Sequence, residues 1–261
     1  MKQGWTELIF GSMYSGKSEE LLRRLKRCSY ANQHYQLFKP NIDNRYSETE
    51  VTTHDSANAR NKITKIVSVY LKESTADRNL LLNELYKNIG GAIHAISISS
   101  PSEILEDLDE NTQVVGIDEV QFFDESIIDV IHQLENKGIR IICSGLDMFA
   151  AGNPFGKVIP ILACTAKFVT KLHGVCVDCG ELGYISYKLD NSDPSEIDIG
   201  SNGKYICLCE TCAKKRDLQK ELSQRKIINP CINCDIDSEL ICPTCEERIN
   251  YIEKVNSLMK G

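Results

Sequence analysis

The sequence predicts an α/β fold: a mostly parallel sheet flanked by helices and carrying a phosphate-binding loop (P-loop), followed by a small zinc-ribbon domain and a second four-cysteine module. Three observations carry that prediction. Apolar strand-like runs alternate with helical patterns up to about residue 173. The octapeptide Gly11-Ser12-Met13-Tyr14-Ser15-Gly16-Lys17-Ser18 fits G-x-x-x-x-G-K-[ST] between a strand and a helix. Eight of the nine cysteines beyond residue 170 fall into C-x-x-C pairs.

The first strand, Glu7 to Phe10, leads into the loop, and a helix continues from it over Glu19 to Arg27. Further strands are expected at Tyr35 to Phe38, Ala95 to Ile98, Gln113 to Ile117, Gly138 to Cys143 and Lys167 to Leu172. These are short apolar runs of the kind that strands buried on both faces require. Ser126 to Asn136 reads as a helix, because Ile127, Ile128, Ile131 and Leu134 share one face and Gly138 stands where a C-terminal cap glycine belongs. Residues 58–91 read as an insertion with a surface helix, since Leu80, Leu81, Leu82, Leu85 and Tyr86 are roughly helically spaced ahead of Gly90-Gly91.

Near Gly174 the composition turns cysteine-rich and polar, which marks a domain boundary. A second boundary falls at 213/214. From Ala213 to Ile228 six Lys or Arg outnumber two acids without any cysteine, the composition of a solvated helix or linker more than of a nucleic-acid patch. In the tail, Glu246 to Met259, the three-residue spacing of Ile249, Ile252 and Val255 suits a short amphipathic helix. The expected units are therefore 1–173, 174–213 and 214–261.

With 261 residues, 42% of them hydrophobic and 26% charged, the chain can bury one full core and carry a small appendage. A formal net charge of −7 argues against a whole-chain footprint for nucleic acid. No stretch has the length and apolarity of a membrane span, and Met1-Lys2-Gln3-Gly4-Trp5 lacks a signal-peptide core, so the expected compartment is the cytoplasm.

The loop defines a nucleotide site. Its glycines let backbone N–H groups curl around phosphate oxygens, Lys17 reaches the outer phosphates, Ser18 faces magnesium, and the helix N-terminus turns toward the same anion. Val114-Val115-Gly116-Ile117-Asp118-Glu119 is an apolar strand ending in two acids, where a phosphate-loop protein keeps its magnesium-organising carboxylate; Asp118 is the candidate. Cys176, Cys179, Cys209 and Cys212 have the spacing of a structural zinc site closed to chemistry, with Cys207 a less well spaced competitor. Cys231, Cys234, Cys242 and Cys245 form a second zinc set, and so small a module needs its metal to fold. Cys28, Cys143 and Cys164 read as core residues.

Asp118-Glu119-Val120-Gln121-Phe122-Phe123 resembles the D-E-x-Q-F-F motif of the type II thymidine kinases. With the loop, the match approaches the whole family pattern. Asp43-Asn44-Arg45-Tyr46-Ser47, His54-Asp55, Gly145-Leu146-Asp147, Pro154-Phe155-Gly156 and the cysteine pairs follow in family order, over about residues 4 to 213. The resemblance implies ATP-dependent phosphorylation of thymidine at its 5′-hydroxyl, a step of deoxyribonucleoside salvage for DNA synthesis. It makes Glu119 the base that takes the hydroxyl proton and Arg45 the guanidinium at the phosphates, with Asp43 beside the metal and Gln121 among the phosphate-binding residues. It also implies a nucleoside pocket formed by Met13, Leu146, Phe149, Ala150 and Phe155. A lasso loop from about Ser192 to Tyr205 completes that pocket, with Ile197, Asp198, Ile199 and Gly200 offering backbone groups and Tyr205 closing over the sugar.

Three positions depart from the family pattern: Ala150 stands where relatives place a stacking phenylalanine, with Phe149 just before it; Ser201 replaces a common glycine; and Ile185 replaces an aromatic or polar residue. A homotetramer and inhibition by the end-product triphosphate are further implications. The competing classes are a P-loop ATPase or zinc-ribbon nucleic-acid-binding protein, and a regulator that binds nucleotide without turnover. Glu119 separates the last from a kinase, because pure binding needs no carboxylate there.

Overall fold

The computed structural model describes residues 3–41, 50–51, 93–189 and 204–224. Along the chain run β1 (Trp5–Gly11), α1 (Lys17–Tyr30), β2 (Tyr35–Pro40), the antiparallel pair β3 (Glu50–Val51) and β4 (Ile93–His94), β5 (Ile96–Ile98) and α2 (Glu103–Glu106). Then come β6 (Val114–Ile117), a 3₁₀ turn at Val120–Phe122, α3 (Ser126–Asn136), β7 (Arg140–Leu146), α4 (Val158–Thr165) and β8 (Phe168–Leu172). The cysteine region adds β9 (Gly174–Val175), β10 (Leu182–Gly183), β11 (Ile185–Lys188), β12 (Tyr205–Leu208) and α5 (Glu210–Gln224).

Six strands form one parallel sheet in the order β5-β2-β6-β7-β1-β8. Each predicted strand of this sheet is present, its ends shifted by at most three residues. The apolar runs have the cause inferred from the sequence: both faces of the sheet are covered. Leu8, Val115, Ile117, Ile141 and Cys143 face a core with Ile127, Ile131 and Leu134 of α3 and Ile159 and Leu162 of α4. Ile9, Leu37, Val114 and Ile142 face Leu21, Leu22 and Leu25 of α1. Each such leucine contributes roughly 1.5–3 kcal/mol by leaving water.

Because all six strands are parallel, their carboxyl ends lie along one edge, and β1, β6 and β7 deliver the P-loop, Asp118 and Leu146 to it. That edge is where open α/β sheets place their ligands. At the opposite end of β1, Glu7 accepts from Arg24 Nη1 of α1 (2.8 Å) and Arg140 Nε of β7 (2.7 Å), tying the loop's helix to the sheet. Burial alone would raise the Glu7 carboxyl, but the hydrogen bonds from Arg140, Trp5 and Arg24 hold it below its ordinary value.

Helix α3 has the predicted bounds, and Gly138 follows it at φ 81°. Helix α4 was not expected. Its apolar run, Val158-Ile159-Pro160-Ile161-Leu162, carries no amphipathic period, and its proline sits in the first turn, where no intrahelical donor is lost. Cys28 and Cys143 are core residues as expected, but Cys164 is exposed, because it lies on the outer side of α4 while Leu162 and Ile159 turn inward. Helix α5 crosses the 213/214 boundary, with Cys212 and Ala213 buried on its inner side. The 58–91 insertion, the second four-cysteine set and the C-terminal tail lie outside the described residues.

Candidate active site

The loop begins where β1 ends against β8. Gly11 can carry no side chain, since a Cβ there would lie 2.1 Å from the Leu172 carbonyl oxygen. Gly16 turns the chain into α1 at φ 80°, a left-handed conformation that favours glycine. Between them the carbonyl of fully buried Ser12 accepts from Lys17 Nζ (2.7 Å) and Ser15 Oγ (2.8 Å), folding the loop back on itself and holding the ammonium over it. The N-terminus of α1 opens beneath this curl, so a positive helix end and a lysine address one anion-sized space.

Asp118 is buried and joins three elements. Its Oδ2 accepts from Ser18 Oγ of the loop (3.3 Å) and its Oδ1 from Ser144 Oγ of β7 (2.5 Å). A hydroxyl and a carboxylate this close, beside a phosphate loop, are the oxygen donor set that suits magnesium held together with a nucleotide's phosphates.

Glu119 has positive backbone torsions (φ 51°, ψ 41°), an uncommon and costly conformation for a residue with a side chain. Its carboxylate is fixed: Gln121 Nε2 donates to Oε2 at 2.5 Å, while Gln121 Oε1 accepts from the Leu146 N–H at 3.0 Å. Gln121, expected among the phosphate-binding residues, thus uses both ends of its amide within the protein, tying Glu119 to the end of β7.

Past β7 the chain forms an aromatic wall. Phe155 is buried, stacked on Phe149 (centroids 4.1 Å apart, 19° between planes) and met edge-on by Phe122 (5.5 Å, 89°). Phe149 therefore belongs to the same wall as Phe155, while half-buried Ala150 supplies no ring. Leu146 and Met13, also expected in the pocket, are half-buried.

The Met13 N–H donates to Ser186 Oγ of β11 at 3.0 Å, a contact between the P-loop and the cysteine domain that no sequence motif announces. Asp147, which the Gly145-Leu146-Asp147 segment of the family pattern singles out without a role, also sits at the edge of the site. Its backbone N–H donates to the Gly11 carbonyl (3.3 Å); its carboxylate is buried, with neither oxygen hydrogen-bonded and Lys171 Nζ 3.4 Å from Oδ2. That so poorly satisfied a carboxylate is buried here is visible only in three dimensions.

The ligand atoms of Cys176, Cys179, Cys209 and Cys212 lie within 4.8 Å of one another, with Cys179 Sγ 3.7 Å from Cys209 Sγ. A tetrahedron with Zn–S bonds of about 2.3 Å has edges of about 3.8 Å, so the thiols fit zinc. Burial would raise the Cys176 thiol, yet backbone N–H groups from Cys209, Asp178 and Cys179 hold it down at about 6. Burial and the neighbouring thiols push Cys212 up to about 12. Four thiols crowded this way cannot all ionise without a cation among them. Outside the knuckles, Arg216 pairs with both oxygens of Asp178 (2.7 and 2.6 Å) and Tyr187 Oη donates to Asp217 (2.8 Å), fastening α5 to the module.

Tyr205, half-buried, opens β12 opposite Lys188. Asp43, Arg45, Ile197, Asp198, Ile199, Gly200, Cys231, Cys234, Cys242 and Cys245 lie outside the described residues.

A sequence model of the thymidine kinase family matches residues 4–81 and 62–213. A thymidine kinase of Bacteroides thetaiotaomicron is 40% identical over 223 residues, which cover 84% of this chain and 93% of that protein. One from Bacteroides fragilis is 39% identical over 220 residues, covering 84% of this chain and 92% of that protein.

Proposed function

The chain belongs to the thymidine kinase family and phosphorylates thymidine, and we propose that it transfers the γ-phosphoryl group of ATP to the 5′-hydroxyl with Glu119 as the base. What supports this assignment is the geometry of Glu119. It follows the carboxylate that touches the P-loop serine, sits in a strained conformation, and is oriented by an amide anchored to the end of β7.

Phosphoryl transfer passes through a loose transition state, so the protein's task is positioning and neutralisation of charge. Backbone N–H groups of the loop other than that of Met13, which is held by Ser186, cradle the phosphates, and Lys17 follows the charge as the bond to the leaving group breaks. Ser18 and Asp118 would hold the magnesium ion that accompanies the nucleotide, which would supply positive charge against the phosphates. Glu119 accepts the hydroxyl proton as the oxygen attacks. Asp43 and Arg45 join the phosphates on the strength of the family motif alone. By the family resemblance, the wall of Phe155 and Phe149 would take the thymine together with Met13 and Leu146, and residues 197–200 and Tyr205 would complete the nucleoside site.

We assign 1–173 to the kinase domain, 174–213 to the zinc-held lasso domain and 214–261 to a linker, second zinc module and terminal helix. A homotetramer inhibited by thymidine triphosphate is proposed from the resemblance. The cytoplasm is proposed from cysteine spacing that suits metal binding in a reducing compartment. Among the described residues no helix is long and apolar enough to cross a membrane.

The test is Glu119→Gln, which keeps the shape and removes the base. ATP binding should persist, and turnover with thymidine should fall by about a hundredfold or more. Unchanged turnover would remove Glu119 from the mechanism.

A further inference from the structure

Three contacts join the P-loop to the cysteine domain. Met13 N–H donates to Ser186 Oγ at 3.0 Å, Ser12 Oγ lies 3.7 Å from Cys207 Sγ, and β9 passes so close beneath Tyr14 that a Cβ on Gly174 would sit 3.1 Å from its carbonyl oxygen. Cys207 is the centre of this joint. It is 1% exposed, and its sulfur occupies space that only glycines leave: an added Cβ would come within 2.7 Å of it at Gly174 and 2.6 Å at Gly183. It is not in the four-thiol cluster, although Cys209 of that cluster is two residues away on the same chain segment.

We propose that Cys207 is a positioning residue that couples the zinc module to the P-loop, so that affinity for the triphosphate depends on the packing of this thiol. The physical route is short. Ser12 is fully buried, and its carbonyl accepts from both Lys17 and Ser15, so whatever seats the Ser12 side chain also sets the curl of the loop and the place of its lysine. The module thereby serves the phosphate side of the site as well as the nucleoside side. Cysteine at this position satisfies two demands, for a sulfur-sized group between two glycines and for a weak hydrogen-bond partner facing a hydroxyl.

This inference rests on the P-loop as a nucleotide site and not on the identity of the phosphoryl acceptor, so it is tested without turnover. A fluorescent ATP analogue with magnesium is titrated into wild-type protein, Cys207→Ala, Cys207→Ser and Ser186→Ala, with zinc content measured on each. In Cys207→Ala and Ser186→Ala the dissociation constant should rise about threefold to tenfold. Zinc content should stay at the wild-type value, and the KM for thymidine at saturating ATP should move by less than about twofold. Cys207→Ser, which keeps a polar atom in the same place, should recover most of the loss. Wild-type nucleotide affinity in Cys207→Ala and Ser186→Ala would overturn the proposal. So would a loss of nucleotide affinity that is matched by losses of zinc and of thymidine affinity, because that pattern means the module has merely come apart. Ser186→Ala keeps the test alive should Cys207→Ala fail to fold, since it removes the second contact and leaves the sulfur in place. Inactivity of the wild-type protein with thymidine would refute the kinase reading and leave the titration unaffected.

Discussion

Removing the Gln121 side chain tests whether Glu119 works because it is held. The amide makes two bonds in a buried place: it donates to the Glu119 carboxylate and accepts from the Leu146 N–H. In Gln121→Ala the Leu146 donor is left buried and unpaired, which costs about 1–3 kcal/mol. For a protein of this size each kcal/mol lowers the melting temperature by about 2–4 °C, so a fall of about 4–8 °C is expected for a mid-range loss of about 2 kcal/mol. Without this amide the carboxylate is less well oriented, and kcat should drop about tenfold to a hundredfold. Melting by circular dichroism and steady-state kinetics with thymidine and ATP separate the two effects. KM for ATP should change little, because the P-loop's own bonds do not involve Gln121. A variant that melts earlier yet retains wild-type kcat at a temperature where it is folded would refute the reasoning, since the amide would then be structural only.

Lys171→Met should be more harmful than its exposure suggests: it strands the buried Asp147 carboxylate, at a cost of about 3–5 kcal/mol, and the double variant with Asp147→Asn should recover much of the melting temperature. Acid should destabilise the fold through Glu7 and Glu20. Hydrogen bonds from Arg23 and Arg24 bring Glu20 down to about 2, and Glu7 is also lowered, so their contribution is present above the ordinary carboxylate value of 4.5 and is lost as pH falls from there toward 2. Urea midpoints measured from pH 6 down to 3 should fall, and Glu7→Gln should flatten that decline. Metal analysis should find about two zinc ions per chain, one for each four-cysteine set, and Cys231→Ser should lose one while kinase activity persists; a single ion in the intact protein would contradict the second site.

What the sequence made legible is what depends on local rules. The P-loop needs glycines at fixed places and a lysine one residue on; the parallel strands need apolar residues on both faces; and zinc needs pairs of thiols with two residues between them. Glu119 was found through a motif, but why it works, a left-handed backbone and a clamping amide, depends on Gln121 reaching the end of a strand 25 residues further on. Helix α4 escaped because its exposed face carries Pro160 and Cys164 in place of charged residues, so the sequence shows no polar stripe and no period. Cys164 misled for the same reason, since an apolar neighbourhood in sequence does not say which side of a helix faces out. The roles of Ser186, Cys207 and Asp147 were not legible, although Cys207 and Asp147 stood out by spacing and motif, because each acquires its role from a chain segment brought alongside by the topology: β11 and β12 against the loop, and β7 beside β1 with Lys171 one strand beyond. A motif records what a ligand demands of one contiguous segment, whereas the joints that hold such segments in register record what the segments demand of each other. Substitutions at those joints should therefore affect one substrate or one rate constant selectively, which sequence pattern alone would not lead one to test.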